Sequence, residues 1–171
     1  MTDAAPTWIS AEEVFARVSF GVDVRAVQRD LRAGLDPARD FSRIILDVAH
    51  RQLLLMPTQS PEFVGIKIAT VTPGNPVLGK KRIQGVYLLM DAATLSAIAL
   101  IDGTALTTLR TPAISAAVAD HLAPSHVDHL VVFGSGPQAW GHIEAMRAIR
   151  AVGRVTIVAR NQGRAASLAS G

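Results

Sequence analysis

The chain has 171 residues, 49% hydrophobic and 18% charged, which suits one folded domain or one and a fraction and excludes a disordered tail. Lys and Arg number 17 against 14 Asp and Glu, a net charge of +3 spread along the chain apart from Lys80-Lys81-Arg82, so nucleic acid is not an expected partner. No apolar run approaches the ~20 residues of a membrane span, the opening MTDAAPTWISAEE has no basic stretch of a secretory signal, and the lack of cysteine excludes disulfides and thiolate metal sites; a cytoplasmic protein is expected.

Ser10-Ala11-Glu12-Glu13 is a capping box ahead of a helix running to about Val18. Asp23 to Ala33 predicts a second helix, with Val24, Val27 and Leu31 three and four residues apart and Gly34 as its stop. Ser42 to Val48 and Arg51 to Met56 predict a β-hairpin around Ala49-His50, and Val64 to Val71 a further strand. Thr72-Pro73-Gly74-Asn75-Pro76 breaks that strand, and the loop runs on to Arg82. Gln84 to Met90 and Ala97 to Ile101 predict a second hairpin, so the first hundred or so residues are expected to hold two helices and about five mostly antiparallel strands. Thr107 to Leu122 is an Ala-rich helix.

The most informative stretch comes next. An apolar run, His129 to Phe133, ends in Gly134-Ser135-Gly136-Pro137-Gln138-Ala139, a helical run continues to Arg150, and Val155 to Val158 follows as a second strand. This is a β-turn-α-β unit with a glycine fingerprint at its first turn. Gly134 permits a tight turn of unusual backbone angles. Gly136 has no side chain to keep a pyrophosphate from the backbone, and Ala139 meets the need for close strand–helix packing. The helix start at Pro137 aims N–H groups and a positive dipole end at the phosphates. An ordinary tight turn of any α/β protein is the alternative reading.

Gly163 to Ala169 begins one more helix before the sequence stops. A full dinucleotide-binding fold has two βαβαβ halves, and a parallel sheet is normally covered on both faces. The expectation is therefore a fragment, a split subunit or a truncated product. The fold class expected is α/β: an N-terminal α+β substrate and dimerisation domain over 1–106, then the first half of a Rossmann domain over 107–171.

Taken together, Leu54-Leu55-Met56-Pro57, Lys67, Gln84-Gly85-Val86, Leu89, Asp91-Ala92, Asp102-Gly103, Leu106-Thr107, Leu109-Arg110-Thr111, Ala113 and the glycine turn resemble the ornithine cyclodeaminase/mu-crystallin family over nearly the whole chain. The resemblance implies a homodimer that binds a small amino or imino acid. It also implies an enzyme that reduces cyclic imines or keto acids, acts as an alanine dehydrogenase, or cyclises ornithine to proline with loss of ammonia.

Carried onto this sequence, the resemblance gives roles to individual residues. Arg43 is similar to an arginine that grips the substrate carboxylate as a bidentate fork; otherwise it is a surface strand arginine. Lys67 is similar to a lysine beside the reacting carbon, and between Ile66 and Ile68 it is expected to be partly desolvated and suited to proton transfer; on alternation alone it is the solvent-facing residue of a half-buried strand. Arg110 is similar to a second carboxylate anchor, and Thr111 to a phosphate-side or nicotinamide-side contact; the plain alternatives are a helix arginine and a hydroxyl bonded to its own backbone.

The second strand of a nucleotide fold commonly ends in an acid that binds a ribose hydroxyl. Here Ala159 stands there, followed by Arg160 and Asn161, with Arg164 one turn on. Without a carboxylate to repel a 2′-phosphate, and with two guanidiniums to bind one, NADP(H) is expected ahead of NAD(H); solvated loop charges are the alternative. Departures from the family pattern are Lys81-Arg82 in place of Pro-Thr, Pro112 near a helix start, and no glycine between Asp91 and Ala97.

The leading expectation is an NAD(P)H-dependent reductase of a pyrroline-2-carboxylate-type imine, or an amino-acid dehydrogenase, holding its substrate by Arg43, Lys67 and Arg110. NAD-dependent ornithine cyclodeamination and a non-catalytic relative are the alternatives.

Overall fold

The computed structural model describes residues 5–170. In chain order the elements are β1 (Thr7–Ile9), α1 (Ala11–Arg17), α2 (Phe20–Arg32), β2 (Ile44–Val48), β3 (Arg51–Gln59), β4 (Phe63–Val71), β5 (Ile83–Asp91) and β6 (Ala97–Asp102). Then follow α3 (Gly103–Leu122), β7 (His126–Phe133), α4 (Pro137–Ile149), β8 (Ala151–Val158) and α5 (Gln162–Ala169). They form two compact units. One holds the residues up to Arg17 with Asp36–Leu106; the other holds Val18–Leu35 and the residues from Thr107 onward.

The first unit is a six-stranded sheet in the order β1-β6-β5-β4-β3-β2. Its β2–β6 run is antiparallel, as the two hairpins predict, while β1 joins the edge parallel to β6. β1 is not legible in the sequence: three residues carry no periodicity, and the pairing that makes them a strand lies some ninety residues away. The capping box forms in both directions, Ser10 N–H to Glu13 Oε2 at 2.8 Å and Glu13 N–H to Ser10 Oγ at 3.3 Å. Ala49 and His50 turn the first hairpin with φ of 45° and 64°, the twist a two-residue loop requires. β3 runs past the expected Met56 and through Pro57. Proline fits there because β2 reaches only to the Ile44–Leu55 pair, so at Pro57 the β3 edge on that side is open. Leu95, at φ 56°, takes the left-handed turn position in the loop before β6.

Strand alternation sorts this sheet into two faces. Ile44, Leu46, Leu53, Leu55, Ile66, Ile68, Val86 and Leu88 share one face. Arg43 precedes the opposite set, to which Met56, Lys67, Tyr87 and Ile101 belong.

The second unit packs α2, α3 and α4 around Val24, Ala113, Ala116, Ala117 and Ala145, with Phe20, Val27, Met146 and Ile149 against them. Alanines at the centre bring the helix backbones close, and Val24 is why α2 groups with elements far along the chain. β7 and β8 pair in parallel, from His126–Ala151 to Phe133–Val158. α2 begins three residues earlier than expected, at a Ser19 cap. α3 also begins earlier, because the Asp102 carboxylate accepts the N–H groups of Thr104 and Ala105 at 2.9 and 2.8 Å. Pro112 is therefore not near the helix start, as expected, but ten residues in and fully buried. No helix among the described residues is long and apolar enough to cross a membrane.

Candidate functional site

The glycine turn is built as its residue types demand. Gly134 has φ 123° and donates its N–H to the Val158 carbonyl at 2.8 Å, tying the end of β7 to the end of β8. Gly136 is the N-cap of α4, with no side chain capping it. A Cβ placed on either glycine would meet nothing within 4 Å, so open space borders the turn. Pro137 contributes no N–H, and the Ala139 and Trp140 amides turn back to the Gly136 carbonyl at 2.9 and 3.2 Å. The N–H groups of Ser135, Gly136 and Gln138 have no hydrogen-bond partner among the described residues. Ala139 is buried. The turn thus offers three backbone donors and a helix N-terminus to an anion, with no Cβ in the way.

At the end of β8, Arg160 and Arg164 are both exposed. Asn161 caps α5, its Oδ1 accepting the Arg164 N–H at 2.9 Å, so its side chain is already engaged. Arg110 and Thr111 are exposed on α3. Asp23 of α2 lies within electrostatic reach of Arg110. Burial raises its pKa above the usual carboxylate value and Arg110 opposes that rise; its Oδ2 is buried without a hydrogen bond.

In the first unit, Lys67 pairs across the strands with Met56 on one side and Tyr87 on the other. Arg43 precedes Ile44, the partner of Leu55, and so stands at the level of this row. At about 4.8 Å per strand, Arg43 and Lys67 are some two spacings apart. The Tyr87 hydroxyl lies over Gly65, where an added Cβ would fall 1.8 Å from it. One expectation is corrected: Ile66 and Ile68 do not shield Lys67, because neighbours along a strand point to the opposite face. Its same-face neighbours are Gly65, Ala69, Met56 and Tyr87.

Residues 9–170 match the ornithine cyclodeaminase/mu-crystallin family. The chain belongs to this family. It is 37% identical over 118 residues to a Delta(1)-pyrroline-2-carboxylate reductase of Bacillus cereus, covering 68% of this chain and 36% of that relative. It is 28% identical over 148 residues to an alanine dehydrogenase of Archaeoglobus fulgidus, covering 86% and 46%. An archaeal alanine dehydrogenase dimer, solved with bound NAD, superposes with a TM-score of 0.86 at 25% identity over 96% of this chain and 52% of that one. The chain thus spans between about a third and a half of the length of these family members.

Several family marks now have a steric reason. A Cβ on Gly85 would fall 2.8 Å from the Ile68 carbonyl oxygen, and one on Gly103 would fall 2.7 Å from the Gly85 backbone. Tyr87 and Asp23 are not singled out by the sequence. Tyr87 was within reach, since the strand register and a glycine two residues before Lys67 together place a large partner there. Asp23 gives no signal beyond an acid in a first helical turn.

Proposed function

We propose that the protein is a nicotinamide-dependent oxidoreductase that reduces a pyrroline-2-carboxylate-type cyclic imino acid, or runs the related amino-acid dehydrogenation. The observation that carries this reading is the 37% identity to a pyrroline-2-carboxylate reductase over two thirds of the chain. The donors and open space at Gly134–Ala139 support a pyrophosphate there. Ser135, Gly136 and Gln138 would hold it through backbone N–H groups, with Thr111 as a further contact. When bound, the nicotinamide supplies a hydride to the imine carbon. The imine nitrogen then takes a proton, which Lys67 Nζ is assigned to deliver. Arg43 and Arg110 are assigned to the substrate carboxylate, for which a guanidinium fork is the matching group.

NADPH is proposed ahead of NADH, because Arg160 and Arg164 are exposed at the end of β8 and no acid stands at Ala159. The first unit is proposed as the substrate and dimerisation domain and the second as the nucleotide domain. A homodimer is supported by the apolar face of the first sheet, on which Ile44, Leu46 and Val48 are 45–49% exposed.

The test is a calorimetric titration of the purified chain with NADPH and NADH, followed by an assay of cyclic-imine reduction. Tight NADPH binding that weakens in Arg160→Asp more than NADH binding does is expected, with loss of turnover but not of nucleotide affinity in Lys67→Met. A preference for NADH would sink the arginine argument. Binding of neither nucleotide would refute the reading for this chain.

A further inference from the structure

The nucleotide turn rests on α4, and α4 is fastened to α3 at three levels. At its far end Arg150 is paired with Asp120 and donates to the Pro124 carbonyl at 2.7 Å. Midway, Gly141 lies so close to α3 that a Cβ there would fall 2.8 Å from both Pro112 Cγ and the Thr108 carbonyl oxygen. Pro112 has no N–H to return to that carbonyl, so the proline that interrupts the α3 ladder lies opposite the residue that permits the closest approach. Beside this close contact the fastening is polar, and it reaches back to the turn. Gln138 Nε2 donates to the Thr107 carbonyl at 3.2 Å. His142 Nδ1 is 2.7 Å from the Gln138 carbonyl, and His142 Nε2 is 3.1 Å from Ser115 Oγ.

The chemistry of these groups fixes the protons. A carbonyl oxygen only accepts, so Nδ1 carries the hydrogen and Nε2 of the neutral ring accepts from the Ser115 hydroxyl. Should His142 become charged, Nε2–H donates to Ser115 Oγ, whose hydrogen turns to the Thr111 carbonyl 3.3 Å away. The Ser115–His142 contact is kept in both states, while the Thr111 carbonyl receives the single Ser115 hydrogen only in the charged one.

We infer that Ser115 and His142 are positioning residues for the nucleotide turn, acting through Gln138. This rests on the nucleotide reading above. Gln138 is held by its side-chain amide to α3 and by its carbonyl to His142, and it carries the first backbone N–H of α4, since Pro137 has none. Helix packing as such is provided elsewhere, by the alanine core and the Arg150 end. The polar strap therefore fixes where Gln138, and with it the first N–H of α4, is held against α3.

The test compares the wild-type chain with Ser115→Ala and Ser115→Thr by NADPH and NADH titration, thermal melting and amide hydrogen exchange. Ser115→Ala is expected to weaken nucleotide binding about fivefold, the size of one lost hydrogen bond, with a melting temperature close to wild type. Amide exchange at Gln138 to Trp140 should quicken, and Ser115→Thr should restore both. Unchanged affinity and exchange in Ser115→Ala would overturn the inference, as would a fall in affinity matched by a fall in melting temperature that Ser115→Thr does not repair. Should the wild type bind neither nucleotide, the nucleotide reading fails by itself. Exchange at Gln138 to Trp140 then still decides whether the strap orders the turn: faster exchange in Ser115→Ala supports it and unchanged exchange refutes it.

Discussion

Replacing Gly136 by alanine separates the fold from the proposed nucleotide site. Gly136 has φ −99° and ψ −176°, backbone angles open to any residue, and an added Cβ meets nothing within 4 Å. Alanine is a poorer N-cap than glycine by roughly 0.5–1 kcal/mol. It also restricts the unfolded chain, which returns about 0.4–1 kcal/mol. The two nearly cancel, so thermal or urea unfolding should change by less than about 0.5 kcal/mol. Nucleotide binding is different. The new methyl group stands in the open space beside the proposed Ser135, Gly136 and Gln138 donors and would hold a phosphate away from them. Losing two such bonds is worth at least a roughly tenfold rise in Kd, or about 1.4 kcal/mol. Calorimetric titration alongside a melting curve reads both quantities on one sample. Unchanged affinity in Gly136→Ala would mean that phosphate does not approach this turn, and the argument from its geometry would fall.

Two further outcomes follow from other parts of the molecule. Leu46→Asp puts a charge on the apolar sheet face at a position 45% exposed in the single chain; sedimentation should show a dimer become a monomer while the secondary structure persists, and a mutant that stays dimeric would move the interface elsewhere. Asp23→Asn tests burial against pairing. The folded carboxyl holds its proton to higher pH than the unfolded one, since burial is the larger effect on it. Its contribution to stability is therefore full below the ordinary Asp value of about 4 and is lost as pH rises through the raised folded value. Asn cannot ionise, so the variant should melt higher than wild type at neutral pH, with the gap closing as pH falls below about 4. A lower melting temperature at neutral pH would show that the attraction to Arg110 outweighs burial.

Much of the fold was legible where a signal was local. The β2–β3 hairpin, β4 and the β5–β6 hairpin are runs of β-branched and large apolar residues between turn residues. The glycine turn is six consecutive residues whose conformations follow from their types. What was hidden depends on distant pairing. β1 exists through β6, and Val24 sends α2 to a core built from α3 and α4. Pro112 lies deeper in its helix than its sequence suggests because the cap that starts α3 is Asp102, one residue before a glycine that reads as a break. The Ser115–His142 contact joins residues 27 apart on two helices, each unremarkable in its own turn.

The surroundings of Lys67 differ from the sequence reading for a reason that bears on its proposed chemistry. Neighbours in sequence are not neighbours in space along a strand, and in β4 Ile66 and Ile68 belong to the other face, the apolar one with Leu46 and Leu55. The lysine's own face presents Met56, Tyr87 and the backbone of Gly65. A single period-2 strand thus serves two ends at once. Its even positions add to the apolar face of the sheet, and its odd positions set an amine beside an aromatic ring, with Arg43 at the same level of the sheet. Tuning of Lys67 therefore comes from its own face, where Met56 and Tyr87 stand, and not from the isoleucines. Substitutions at Ile66 or Ile68 should therefore disturb assembly before they disturb proton transfer.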